Sequence, residues 1–228
     1  MTPNQITVVR VAIGFLAVAL FAAAHGTASP GVNLLGVALI VGAIALDAVD
    51  GYVARRKQLA TPLGAQLDIL GDRILENLFF TYFAVAGLIS LWVPVVFFVR
   101  GTATDFLRSL AAASGREGFG RNSMLETWWG RALVASRASR AAYGVLKCVC
   151  FCWLGLQLAL LSAPGIVGMA RAAAAWAPQI LLAGRILVVL TVAFCLLRGL
   201  PVLWEGRRYL SQLAVPSPRR FPMGAPTR

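Results

Sequence analysis

Six mostly apolar runs recur along the chain, near 6–24, 32–54, 66–90, 92–112, 139–162 and 178–204. Each approaches the ~20 residues that carry a helix across a ~30 Å hydrocarbon core. In lipid only elements that satisfy their own backbone groups can span, and at this length that means helices. The expected fold is therefore all-α: a polytopic membrane protein with six transmembrane helices. Charge agrees, because only 13% of the 228 residues are charged, about half of the ~25% usual in soluble domains. No room is left for a separate soluble domain.

The opening "MTPNQITVVRVAIG" lacks a basic n-region and a small-residue cleavage site, so the first helix is expected to be retained. The net charge of +12 would suggest nucleic acid in a soluble protein. Here the basic residues sit in connections beside apolar spans, where membrane lipids are the expected partner and nucleic acid is not. Segments 25–31, 91–92 and 163–177 hold only His25 and Arg171 as basic candidates, whereas 55–65, 113–138 and the tail from 205 hold Arg55, Arg56, Lys57, Arg116, Arg121, Arg131, Arg137, Arg207, Arg208, Arg219 and Arg220. By the positive-inside rule both termini are cytoplasmic. Segment 113–138 is too polar to span, and Trp128 and Trp129 suggest a stretch lying on the cytoplasmic face. The expected division is a transmembrane unit over 1–212 and a Pro/Arg-rich, disordered cytoplasmic tail over 213–228. Three of the four cysteines lie in "KCVCFCW" with no histidine nearby, and are read as small apolar residues in a span.

Against this background the stretch "LDAVDGYVARRKQLATPLGAQLDILGD" is unusual. It holds four of the nine acids: Asp47, Asp50, Asp68 and Asp72. Asp47 and Asp50 are spaced i,i+3 at the end of the second span; Asp68 and Asp72 are spaced i,i+4 at the start of the third. Each pair shares a helix face, so two neighbouring helices offer carboxylates to one region just inside the cytoplasmic boundary. Carboxylates in a bilayer are costly and repel one another at close range. Divalent cations resolve both problems: paired aspartates suit Mg²⁺ or Mn²⁺, and four can bridge two ions, an arrangement fitted to phosphoryl chemistry. Salt bridging to Arg55, Arg56 and Lys57 is the structural alternative. An ion-coupled transporter is the alternative of a different class, although the repeats and broken helices of transporters are not visible.

Asp47-x2-Asp50-Gly51-x2-Ala54-Arg55-x8-Gly64-x3-Asp68-x3-Asp72 resembles the signature of the CDP-alcohol phosphotransferase family at all eight fixed positions. The opening "PNQITVVR", with Asn4, Thr7 and Arg10, is also similar to that family. The resemblance implies displacement of CMP from a CDP-linked lipid, CDP-diacylglycerol, by the hydroxyl of a small polar alcohol, in a cell-membrane protein with its site open to the cytoplasm. It further implies two metal ions held by Asp47, Asp50, Asp68 and Asp72, with Asp72 also the general base. Gly51, Ala54 and Gly64 would leave space for the nucleotide, Arg55 would grip the pyrophosphate, and the chain would form a homodimer.

The acceptor is less constrained. In "VRGTATDFLRSL", Arg100 and Arg108 have the spacing of the phosphatidylglycerophosphate synthase branch, whose acceptor carries a phosphate. Gly101 and the absence of a Gly-Lys-x-Lys-Thr stretch depart from that branch, while "VASRASRAAYGVLK", with Arg137 and Arg140, and Asp72-Arg73 lean toward the phosphatidylinositol branch. Glycerol 3-phosphate is the first expectation and inositol or inositol phosphate the second, with Arg100, Arg108, Arg137 and Arg140 as acceptor-binding candidates. Arg100 lies roughly 15 Å from the cytoplasmic end of its helix, at a depth similar to that of Glu76, and the two are expected to pair.

Overall fold

The computed structural model describes residues 3–27, 29–56, 62–116, 124–161 and 167–213. Among them the regular elements are all helical: α1 (Pro3–Thr27), α2 (Pro30–Arg56), α3 (Pro62–Val85), α4 (Trp92–Ala113), a short α5 (Trp128–Gly130) that runs into a π-helical turn (Arg131–Ala135), α6 (Arg137–Leu161) and α7 (Val167–Leu213). Each of the six apolar runs falls on one of the long helices. Among the described residues, four helices (α1, α2, α6 and α7) are long and apolar enough to cross a membrane. The ionisable residues of the chain's middle concentrate on the other two: Asp68, Asp72, Arg73 and Glu76 on α3, and Arg100, Asp105 and Arg108 on α4. The outer surface is apolar: Phe15, Leu16, Val189 and Leu197 are all more than half exposed. Such a surface belongs in lipid rather than water, and the chain is an integral membrane protein.

Three boundaries differ from the sequence expectation. The third helix ends at Val85 rather than 90, because Gly87 takes φ +78°. The Leu88 N–H then donates to the Phe83 carbonyl and the Gly87 N–H to Ala84, the paired bonds of a Schellman cap. The last helix begins at Val167, inside the expected connection 163–177, and continues to Leu213 past Pro178 and Pro201. The run "ARAAAAW" is not greasy enough to read as a span, yet alanine is the best helix former. His25, expected in a loop, sits in the last turn of α1.

Helix α3 packs on α1, α4 and α6. Its residues Phe79, Phe80 and Phe83 meet Phe21 of α1, Phe97 of α4 and Phe151 of α6, with the Phe80 ring 4.3 Å from Phe97 and 4.8 Å from Phe151. Between helices in lipid there is little hydrophobic drive, so close packing and small residues carry the association. A Cβ at Gly36 would stand 2.7 Å from the Phe21 ring, and one at Gly155 2.9 Å from Val37. These glycines set how closely α1, α2 and α6 approach.

The described part of the polar segment 113–138 is clamped to α7. Met124, Leu125 and Val134 pack on Val202 and Tyr209. The buried Glu205 carboxylate accepts from the Glu126 N–H at 2.6 Å and from the Thr127 hydroxyl. Arg198 donates to the Leu133 carbonyl at 2.7 Å and to Ser139 Oγ at 2.6 Å. Between α4 and α6 the described residues form only short helical turns, none long enough to cross a membrane, and Trp128 is 82% exposed.

Candidate metal centre

Helical spacing brings three of the four motif acids together. Asp68 and Asp72 lie one turn apart on α3 and Asp47 faces them from α2, and one carboxylate oxygen of each falls within 4.8 Å of the others. All three side chains are about half exposed. Arg10 of α1, only 3% exposed, reaches into the group. Its Nη1 donates to Asp47 Oδ1 and to Asp72 Oδ1 (3.0 Å), and its Nη2 donates to Asp68 Oδ1 at 2.9 Å. Space for the guanidinium comes from Gly71, where a Cβ would lie 3.3 Å from Arg10 Nη2 and 3.0 Å from Thr7.

Three carboxylates against one guanidinium leave two formal negative charges, and the donors are hard oxygens. That donor chemistry fits Mg²⁺ or Mn²⁺. The remaining motif residues of α2 (Asp50, Gly51, Ala54 and Arg55) lie on its last two turns, and their side chains fall outside the described residues. Lys57 and the tail from 214 also lie outside them. Gly64 is partly buried in the first turn of α3.

Behind the aspartates a cavity of about 120 Å³ runs between α1, α2, α3 and α6. Arg10, Asp47, Asp72, Glu76, Lys147 and Cys148 line it. Glu76 is 2% exposed and pairs with Lys147 at 2.9 Å, with Arg73 Nη1 at 3.7 Å. The expected Glu76–Arg100 pair does not form. Glu76 faces α6 from the α3 bundle face, so Lys147 meets it first, while Arg100 lies against Gly199 of α7. No carboxylate among the described residues pairs with Arg100, although it is 7% exposed.

Between α3 and α4, Asp105 is the hub. It accepts from Arg73 Nε at 2.7 Å and Nη2 at 3.2 Å, and from Arg108 Nη1 at 3.2 Å. The charges of Arg73, Arg100 and Arg198 act on Arg108, and those of Arg100 and Arg140 act on Arg198. Arg198 thus lies near Arg100, Arg108 and Arg140, three of the acceptor-binding candidates. Arg137 is exposed in the first turn of α6. Sequence reasoning missed Arg198 as a neighbour of those arginines, although an arginine deep inside the most apolar run, which also holds Arg185, was the signal. It also missed Asp105 and the part Arg10 plays, since nothing in spacing says which acid a guanidinium from another helix will meet. The four cysteines are free.

Residues 1–176 match the family model for CDP-alcohol phosphatidyltransferase. The chain is similar to the CDP-diacylglycerol–glycerol-3-phosphate 3-phosphatidyltransferase of Bacillus subtilis, with 32% identity over 121 residues, 50% of this chain and 63% of that protein. It is similar to the archaetidylinositol phosphate synthase of Aeropyrum pernix, with 38% identity over 96 residues, 42% of this chain and 47% of that protein. A Rickettsia bellii protein bearing the same name as the Bacillus one is 36% identical over 73 residues, 32% of this chain and 38% of that protein. These matches span from 38% to 63% of the curated relatives' own lengths. The family model, in contrast, covers most of the chain and takes in the whole aspartate motif: the protein belongs to the CDP-alcohol phosphatidyltransferase family.

Proposed function

We propose that this protein is a phospholipid-biosynthesis enzyme of the cell membrane, transferring a phosphatidyl group from CDP-diacylglycerol to a small polar alcohol with release of CMP. The observation that carries the reading is the meeting of Asp47, Asp68 and Asp72 from two helices in one oxygen-rich, half-exposed group. All six long helices span, both termini are cytoplasmic, and the site opens to the cytoplasm; the alternation of basic connections supports this topology. The transmembrane unit covers 1–212, with the Pro/Arg-rich tail of 213–228 beyond it.

Asp47, Asp50, Asp68 and Asp72 would hold two Mg²⁺ or Mn²⁺ ions, which neutralise phosphate oxygens and stabilise the charge of the displacement. The chain's own residues do the rest. Gly51, Ala54 and Gly64 leave the backbone approachable by the nucleotide, and Arg55 grips the pyrophosphate with its two-pronged donor. Asp72 accepts the proton of the acceptor hydroxyl as its oxygen attacks the lipid-bearing phosphorus. The phosphorus–oxygen bond to CMP breaks, and CMP leaves with that oxygen.

Glycerol 3-phosphate is the favoured acceptor, supported by the names of two of the relatives. An inositol phosphate acceptor is the second reading, supported by the third. Both carry a phosphate, which suits the arginines Arg100, Arg108 and Arg140, with Arg198 and Arg137 added. Two copies assemble as a homodimer. The test is CMP release by purified protein with CDP-diacylglycerol, Mg²⁺ and a panel of glycerol 3-phosphate, inositol, inositol phosphate and serine. Release with none of them refutes the enzyme reading, and release with serine alone refutes the phosphorylated acceptor.

A further inference from the structure

We propose that Arg10 is the resident counter-ion of the aspartate centre, a positioning residue that holds Asp47, Asp68 and Asp72 together in the metal-free protein and against which divalent cations load. The inference rests on the metal-binding reading above and deepens it. Three helices meet through this one side chain: Arg10 from α1, Asp47 from α2, and Asp68 and Asp72 from α3. Its exposure of 3% contrasts with the half-exposed carboxylates, so the guanidinium closes the buried side of the group and the carboxylates face the open side.

The chemistry follows from that placement. A guanidinium is a planar, delocalised cation whose donors are held in a rigid fork. Its fork bonds three carboxylates at once through two separate nitrogens, a spread that the single nitrogen of an ammonium does not reproduce. Without it, three like charges would face one another with the bonds of this guanidinium lost. With it, an incoming ion meets a fixed positive charge within a few ångströms and competes for the same carboxylates. Gly71 supports the assignment, because the α1–α3 approach leaves room there for the guanidinium and for little else.

The experiment uses the full chain in detergent, as wild type, Arg10→Gln and Arg10→Lys. Mn²⁺ binding is read from the electron paramagnetic resonance signal of the free ion, and the thermal midpoint is read in EDTA and in Mn²⁺. Arg10→Gln is expected to have a lower midpoint in EDTA, a larger rise on adding Mn²⁺, and a Kd for Mn²⁺ tightened by about tenfold, a modest figure because the carboxylates are half exposed and the charge term is screened. Arg10→Lys keeps the charge and loses the fork, so its Kd stays near wild type while its EDTA midpoint falls. Survival of Arg10→Gln only when Mn²⁺ is present throughout extraction, with Arg10→Lys stable in EDTA, would support the same conclusion. Unchanged or weaker Mn²⁺ binding by Arg10→Gln overturns the proposal whatever its stability. No Mn²⁺ binding by wild type overturns the metal reading itself and this inference with it.

Discussion

Lys147→Met should be among the most damaging single changes in the bundle, and the loss should be relieved by a second change at Glu76. The Glu76 carboxylate is 3% exposed, its Oε2 bonds Lys147 Nζ at 2.9 Å, and its buried Oε1 has no hydrogen-bond partner. Removing the ammonium leaves an uncompensated buried carboxylate, which costs about 3–5 kcal/mol in protein interiors. Arg73, 3.7 Å away, keeps part of the compensation, so the lower end, about 3 kcal/mol, is expected. For a chain of this size that lowers the midpoint by about 6–12 °C. Glu76→Gln should cost less: Lys147 is 18% exposed and sits 4.8 Å from the Tyr143 ring centre, so the orphaned cation keeps some stabilisation. The double variant should recover roughly 1–3 kcal/mol relative to the sum of the singles. A thiol-reactive fluorogenic dye suits the measurement, because Cys150 and Cys195 are fully buried and become reactive only on unfolding. Losses that add in the double variant would show that the pair is not coupled, and the reasoning from burial and distance would be wrong.

CMP release should vanish in excess EDTA and return with Mg²⁺, and only weakly with Ca²⁺, whose looser coordination suits the site less; full activity in EDTA would end the two-metal reading. Asp72→Asn keeps the shape but removes the base, so kcat should fall by about 10²–10⁴-fold with CDP-diacylglycerol binding largely kept. Near-normal turnover with weakened metal binding would make Asp72 a ligand only. Arg108→Ala and Arg140→Ala should raise KM for a phosphorylated acceptor by about 10–100-fold, the worth of a charge-assisted hydrogen bond, and leave KM for CDP-diacylglycerol little changed. Equal effects on the two substrates would assign those arginines to the membrane surface instead.

What the sequence made legible is what is periodic or local. Runs of apolar residues located six helices, and i,i+3 and i,i+4 spacing put the acids on shared faces before any contact was known. The misplaced ends have local causes too: Gly87 ends α3 through its positive φ, and the alanines of "ARAAAAW" start α7 earlier than hydropathy does. These are signals of turn chemistry and helix propensity, which a reading by apolarity alone passes over.

Partnership between helices is a different kind of information. Depth along the membrane suggested that Glu76 would find Arg100, and depth was the wrong coordinate. Rotation about the helix axis decides which neighbour a side chain meets, and on α3 it turns Glu76 toward α6 and Lys147, while Arg73, three residues earlier, reaches both Glu76 and Asp105 of α4. One helix thus distributes its charges among three partners: Asp68 and Asp72 with α1, Arg73 with α4, Glu76 with α6. That distribution explains how α3, with too many ionisable residues to read as a plain membrane span, packs against α1, α4 and α6. A charge facing lipid is a cost, whereas a charge facing another helix that carries its partner is an attachment. The centre formed by Asp47, Asp68 and Asp72 lies at the end of this same series of attachments, so the acids that make the site chemically distinct also hold α1, α2 and α3 to one another through Arg10.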